Sequence, residues 1–145
     1  MNSLLRTHVL LLSLSAVILS GCGQKGMSGD VLAESKRADG NVRAIVTRYD
    51  GGATVSFVYR VYIQDGSGEA NEVLRADHVV GLSTIWSGDI LQIAMQCGRI
   101  FSFSNFSDVL DGSGNLKEVI PIKLQVNGLC SSSEYSAGQA LARRY

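Results

Sequence analysis

The 145-residue sequence is 46% hydrophobic and carries 13 basic against 13 acidic side chains, for a formal net charge of zero. Without a block of like charge, neither nucleic acid nor an anionic surface finds an electrostatic footprint on it. Sixteen glycines against one proline, in one domain's worth of chain, suit a single modest core joined by tight turns.

Met1 to Cys22 has the layout of a secretory signal. Arg6 sits in a short polar start, Val9 to Leu19 is apolar apart from Ser13 and Ser15, and Ser20 and Gly21 follow. The apolar run is about 11 residues, whereas a helix needs about 20 to cross the hydrocarbon, so a retained span is the weaker reading. Leu19-Ser20-Gly21-Cys22 resembles the lipobox of bacterial lipoproteins. The resemblance implies cleavage after Gly21, a diacylated Cys22 sulfur of the palmitate type and an acylated new amino group. The partner it implies is the lipid bilayer. One buried chain at about 0.8 kcal/mol per CH₂ binds marginally, whereas two or three make an anchor. Gly23 follows the cysteine where an Asp would hold a Gram-negative lipoprotein at the inner membrane. The implied location is therefore the outer membrane, facing the periplasm; a Gram-positive host would use the outer face of its single membrane. The alternative is an ordinary signal peptide with a cysteine beside its cut site.

Residues 22–38 read as the lipidated cysteine and a flexible tether, with three glycines between Gly23 and Gly29. Val31 to Arg37 suits either one helical turn or a first strand. The β domain is expected over 39–130. After the Asp39-Gly40 turn, Val42 to Thr47 is rich in β-branched residues, and Asp50-Gly51-Gly52 turns the chain again. Thr54 to Gln64 is the clearest strand, with Val55, Phe57, Tyr59, Val61 and Ile63 on one face. The opposite face carries Arg60 and Tyr62, the best candidates for a contact surface if that face is exposed, since Arg and aromatic residues are enriched at interfaces.

Val73-Leu74 and Val79-Val80 suggest a further strand around His78. Ile90 to Met95 and Arg99 to Phe103 are two more, with Phe101 and Phe103 sharing a face. Val119 to Val126 is the last, Ile120, Ile122, Leu124 and Val126 inward, and its Pro121 suits an edge. Residues 131–145 form a polar tail. Short strands, frequent turn signals and almost no helical period predict a mainly β fold after the signal segment. The form expected is an antiparallel meander making a sandwich or a partly open barrel.

Arg48-Tyr49-Asp50-Gly51-Gly52-Ala53-Thr54 and Trp86-Ser87-Gly88-Asp89-Ile90-Leu91-Gln92-Ile93 are similar to two segments of a family of small uncharacterised proteobacterial proteins. Those carry Arg-Asp-Cys-Gly-Ala-Thr-Thr before a strand and Trp-x-x-x-x-Leu-x-Ile later. Here Tyr49 is inserted and Gly51 replaces the cysteine, so the resemblance implies a β fold and no chemistry.

An exported chain meets an oxidising compartment, so Cys97 and Cys130 are expected to form a disulfide; two buried thiols are the alternative. His78 follows Asp77, but no serine sits in a G-x-S-x-G elbow, so a surface histidine in a loop is the simpler reading. Asp65-Gly66-Ser67-Gly68 and Asp111-Gly112-Ser113-Gly114 place oxygens like a calcium loop, yet the sixth and twelfth positions lack the required Gly and Glu. No C-x-x-C, Walker loop or dinucleotide fingerprint occurs, so no metal and no cofactor are expected. The expected role is a lipid-anchored, non-enzymatic envelope protein touching another envelope protein or the wall. A periplasmic small-ligand binder is the alternative.

Overall fold

A computed structural model describes residues 27–52, 56–128 and 130–131. The signal segment with Cys22, the strand start at Thr54 and Val55, and the tail beyond residue 131 lie outside the described residues. Within them the chain forms strands β1 (Asp30–Lys36), β2 (Arg43–Tyr49), β3 (Val58–Gln64), β4 (Ala70–Val80), β5 (Ser83–Ser87), β6 (Ile90–Met95), β7 (Cys97–Phe103), β8 (Phe106–Leu110) and β9 (Leu116–Val126). They make two open sheets, ordered β1-β2-β3-β4-β7 and β5-β6-β9-β8. The mainly β fold is thus the sandwich rather than the barrel.

β1 to β4 run as the expected antiparallel meander. Beyond β4 the meander ends. Gly81, at φ 67°, turns the chain into β5 of the second sheet. After β6 the Gln96 amide donates to the Val80 carbonyl at 2.9 Å, which returns β7 to the first sheet beside β4. β9 then enters the second sheet between β6 and β8 and lies parallel to β6.

Alternation on β3 places Tyr59, Val61 and Ile63 on the core face, where they meet Ala44, Val46 and Leu74 from the first sheet and Leu91, Ile93 and Ile122 from the second. Each large side chain so buried contributes about 1.5–3 kcal/mol. Between the sheets, β1 contacts β5 and β4 contacts β8.

Four local expectations are sharpened. Residues 30–36, placed in the tether and read as either a helical turn or a first strand, are strand β1, so the folded domain begins earlier than residue 39. β3 starts at Val58, four residues after the expected Thr54. His78 lies within β4 rather than in a loop. Pro121, expected to suit an edge, is paired on one side only, with Phe106 of β8, although β9 lies between β6 and β8 in the sheet. It stands where β9 passes from its pairing with β8, which ends at Pro121, to its pairing with β6, which starts at Ile122. A missing N–H is tolerated at such a changeover.

Candidate functional site

Three places on the sandwich carry groups with more than packing to do. The first is at the end where β1 begins. β3 and β4 pair so that Val58 faces Asp77, which brings Ser56, two residues before Val58, beside His78. The β4–β7 ladder is irregular between Asp77 and Val80, and His78 has φ 52°, the one positive value at a non-glycine among the described residues. That conformation costs about 1–2 kcal/mol for an L-residue. It turns the imidazole back along its own strand, with Nδ1 3.0 Å from Asp77 Oδ1 and Nε2 2.9 Å from Ser56 Oγ.

Asp77 is buried, and Arg99 of β7 donates from Nε at 2.9 Å to one carboxylate oxygen and from Nη2 to the other. Burial pushes the Asp77 carboxyl up, but hydrogen bonds from Arg99 and His78 outweigh it and hold it below the ordinary carboxylate range. An ionised carboxylate only accepts, so a neutral imidazole facing it carries its proton on Nδ1 and receives the Ser56 hydroxyl at Nε2. Cys97 and Cys130 are joined beside this cluster, the disulfide expected from the sequence, and Cys130 Sγ lies 3.6 Å from the His78 carbonyl oxygen.

The second place is the opposite end, around Arg37. Its guanidinium donates to Asp39 Oδ2 at 2.7 Å and to both carboxylate oxygens of Glu118 on β9. It also lies 5.9 Å from the centroid of the Trp86 ring, whose Nε1 donates to the Ser35 carbonyl at 3.0 Å. One side chain thereby clasps both sheets. The hydrogen bond from Arg37 holds the Asp39 carboxyl down at about 2, and the Asp39 and Glu118 bonds raise the guanidinium further. A cleft of about 680 Å³ opens here, lined by Arg37, Asp39, Asp65, Asp111, Lys117 and Glu118 among others. Asp65 and Asp111 spend their carboxylates on their own turns: Oδ1 accepts the Ser67 amide at 2.8 Å in one, and the Ser113 and Asn115 amides at 2.8 and 2.9 Å in the other. Those backbone bonds, Asn115 first, lower the Asp111 carboxyl.

The third place is the free side of β7. This strand pairs with β4 and, among the described residues, with no strand beyond it. Ile100, Phe101 and Phe103 are 39%, 53% and 38% exposed, and Phe106 on the neighbouring edge strand β8 is 50% exposed. The contact pair expected on β3 is not there. Tyr62 is 1% exposed, because the chain entering β1 lies over that face at Ser28. Thr47 Oγ1 donates to the Ser28 carbonyl at 2.9 Å, the Ser28 amide approaches the Tyr62 hydroxyl at 3.4 Å, and Arg60 Nη1 donates to both Ser28 Oγ and Tyr62. Arg60 keeps a 23% exposed side chain beside Glu72.

Among the described residues no helix is long and apolar enough to cross a membrane. Comparison with protein-family models, curated proteins and solved structures finds no match to this chain.

Proposed function

We propose that this chain is a cell-envelope lipoprotein, held in a bilayer by acyl chains on Cys22, and that its sandwich docks an extended segment of another envelope protein along β7. The observation that carries the docking is the side of β7 that, among the described residues, has no paired strand, with its exposed Ile100, Phe101 and Phe103. An open strand edge offers a row of backbone donors and acceptors, which a partner strand satisfies while alternate side chains select its sequence. Natural edges are commonly protected by inward charges, bulges or cover, and apolar side chains at this one fit use rather than protection. The anchor rests on Leu19-Ser20-Gly21-Cys22, and Gly23 favours the outer membrane in a Gram-negative host.

Two measurements test the two halves. A clickable fatty acid is expected to label the full chain and not Cys22→Ser; an unlabelled wild-type product refutes the anchor. A photo-crosslinking residue at Phe101 is expected to capture one envelope protein in cells, while the same residue at the exposed Lys123 of β9 does not. Equal capture at both positions, or none, refutes the docking edge.

The small-ligand reading retains one specific support, the cleft at the Arg37 end with its converging charged side chains. A small molecule that co-purifies and is lost in Lys117→Ala would favour it over β7 docking.

A further inference from the structure

We propose that Ser56, His78 and Asp77 are a nucleophile, a general base and its orienting carboxylate, and that the protein hydrolyses carboxylic esters at the end of the sandwich where β1 begins. The two distances that define such a relay are both met, 2.9 Å from Ser56 Oγ to His78 Nε2 and 3.0 Å from His78 Nδ1 to Asp77 Oδ1. These sets are recognised by geometry and role, since unrelated folds assemble them in different chain orders. Consecutive Asp and His are an unusual source, because adjacent strand residues point to opposite faces. The left-handed backbone of His78 is what lets them meet.

The left-handed backbone of His78 falls at the irregularity of the β4–β7 ladder between Asp77 and Val80, and a bulge of that kind re-aims a side chain. Arg99 already binds both oxygens of Asp77, so the buried charge has its counterion without the imidazole. His78 is held in a costly conformation all the same, and it is held facing a hydroxyl. Strain retained in this way clusters at functional sites. The cluster is held from three directions: Ser56 precedes the start of β3 at the Val58–Asp77 pair, Arg99 binds Asp77, and the Cys97–Cys130 bridge packs against the His78 carbonyl.

Ser56 is half-buried and the His78 side chain is 28% exposed, so an acyl group reaches them from the surface. In the first half-reaction Ser56 Oγ attacks the acyl carbon and its proton passes to His78 Nε2. The tetrahedral intermediate expels the alcohol, which leaves with that proton. Water then attacks the Ser56 ester, giving its proton to Nε2, and the acid departs as Ser56 recovers the proton. The sum is ester plus water to acid plus alcohol, with Arg99 positioning Asp77 throughout.

The test uses the full-length chain in detergent, with a fluorophosphonate probe and p-nitrophenyl butyrate. The wild type is expected to be labelled on the peptide containing Ser56 and to release nitrophenol. Ser56→Ala is expected to lose both, with its melting temperature unchanged within about 2 °C, as for a partly exposed side chain. His78→Gln keeps the hydroxyl and is expected to label at least about 100-fold more slowly, the smallest effect usual for a general base. An unlabelled wild type overturns the proposal, and so does labelling or hydrolysis that survives in Ser56→Ala. These readouts are indifferent to acylation of Cys22 and to any partner on β7, so this proposal and the one above fail separately.

Discussion

Cutting the bridge between Cys97 and Cys130 tests how the two sheets are held together. The cross-link closes a loop of 33 residues that contains β7, β8 and β9, strands shared between both sheets. The chain-entropy treatment gives about 3.7 kcal/mol for a loop of that length at 25 °C. For a cooperative unit of roughly 100 residues, 1 kcal/mol corresponds to about 4–8 °C, so the expected fall in melting temperature is about 15–30 °C. Cys130→Ala is the variant of choice, because it leaves the buried Cys97 side chain in its place in the core and opens no cavity there. Far-UV circular dichroism melts would be recorded for wild type and variant, each with and without reductant. Reductant should bring the wild type down to the variant and leave the variant where it is. A wild-type loss below about 5 °C would refute the reasoning, because it would mean that the unfolded chain gains little freedom when the loop opens.

Three other outcomes follow from the same fold. Gly29→Ala places a Cβ 2.5 Å from the Arg48 carbonyl oxygen at a φ of +96°, so the entry to β1 must shift; a loss of about 2 kcal/mol or more is expected in urea unfolding. Ile93→Ala, fully buried, should cost about 2–5 kcal/mol, while Ile85→Ala, 63% exposed, should stay within about 0.5, both read from urea midpoints. The Asp39 carboxyl is depressed from 3.8 to about 2 by Arg37, so its contribution is complete above pH 3.8 and is lost as pH falls through 2. Between pH 4 and 2 the melting temperature of the wild type should therefore fall more steeply than that of Asp39→Asn; parallel curves would remove the Arg37 clasp from the stability of this fold.

The strand faces were largely legible in the chain. Tyr59, Val61 and Ile63 alternate toward the core as their spacing requires, and so do Ile120 and Ile122, because a period of two is a local property of extended backbone. What failed was the meaning of the other face. Arg60 and Tyr62 alternate outward as expected, but whether outward is solvent depends on what passes over the sheet, and there Ser28 does. Pro121 makes a related point: a missing donor marks a gap in the hydrogen-bond ladder, and here the gap is the locally unpaired side of a strand that lies inside its sheet.

The residues of the relay show the same division more sharply. Asp77 and His78 stood out as neighbours, yet nothing in their surroundings named Ser56, 22 positions earlier. That partner is supplied by the register of β3 on β4 and by one left-handed residue, and both are decided by long-range pairing. Composition and alternation by themselves determined that this chain builds sheets and which side chains fill the space between them. Only the packed sandwich decided which polar groups meet, because hydrogen-bond partners depend on three-dimensional register, whereas burial of an alternating apolar face needs only local periodicity.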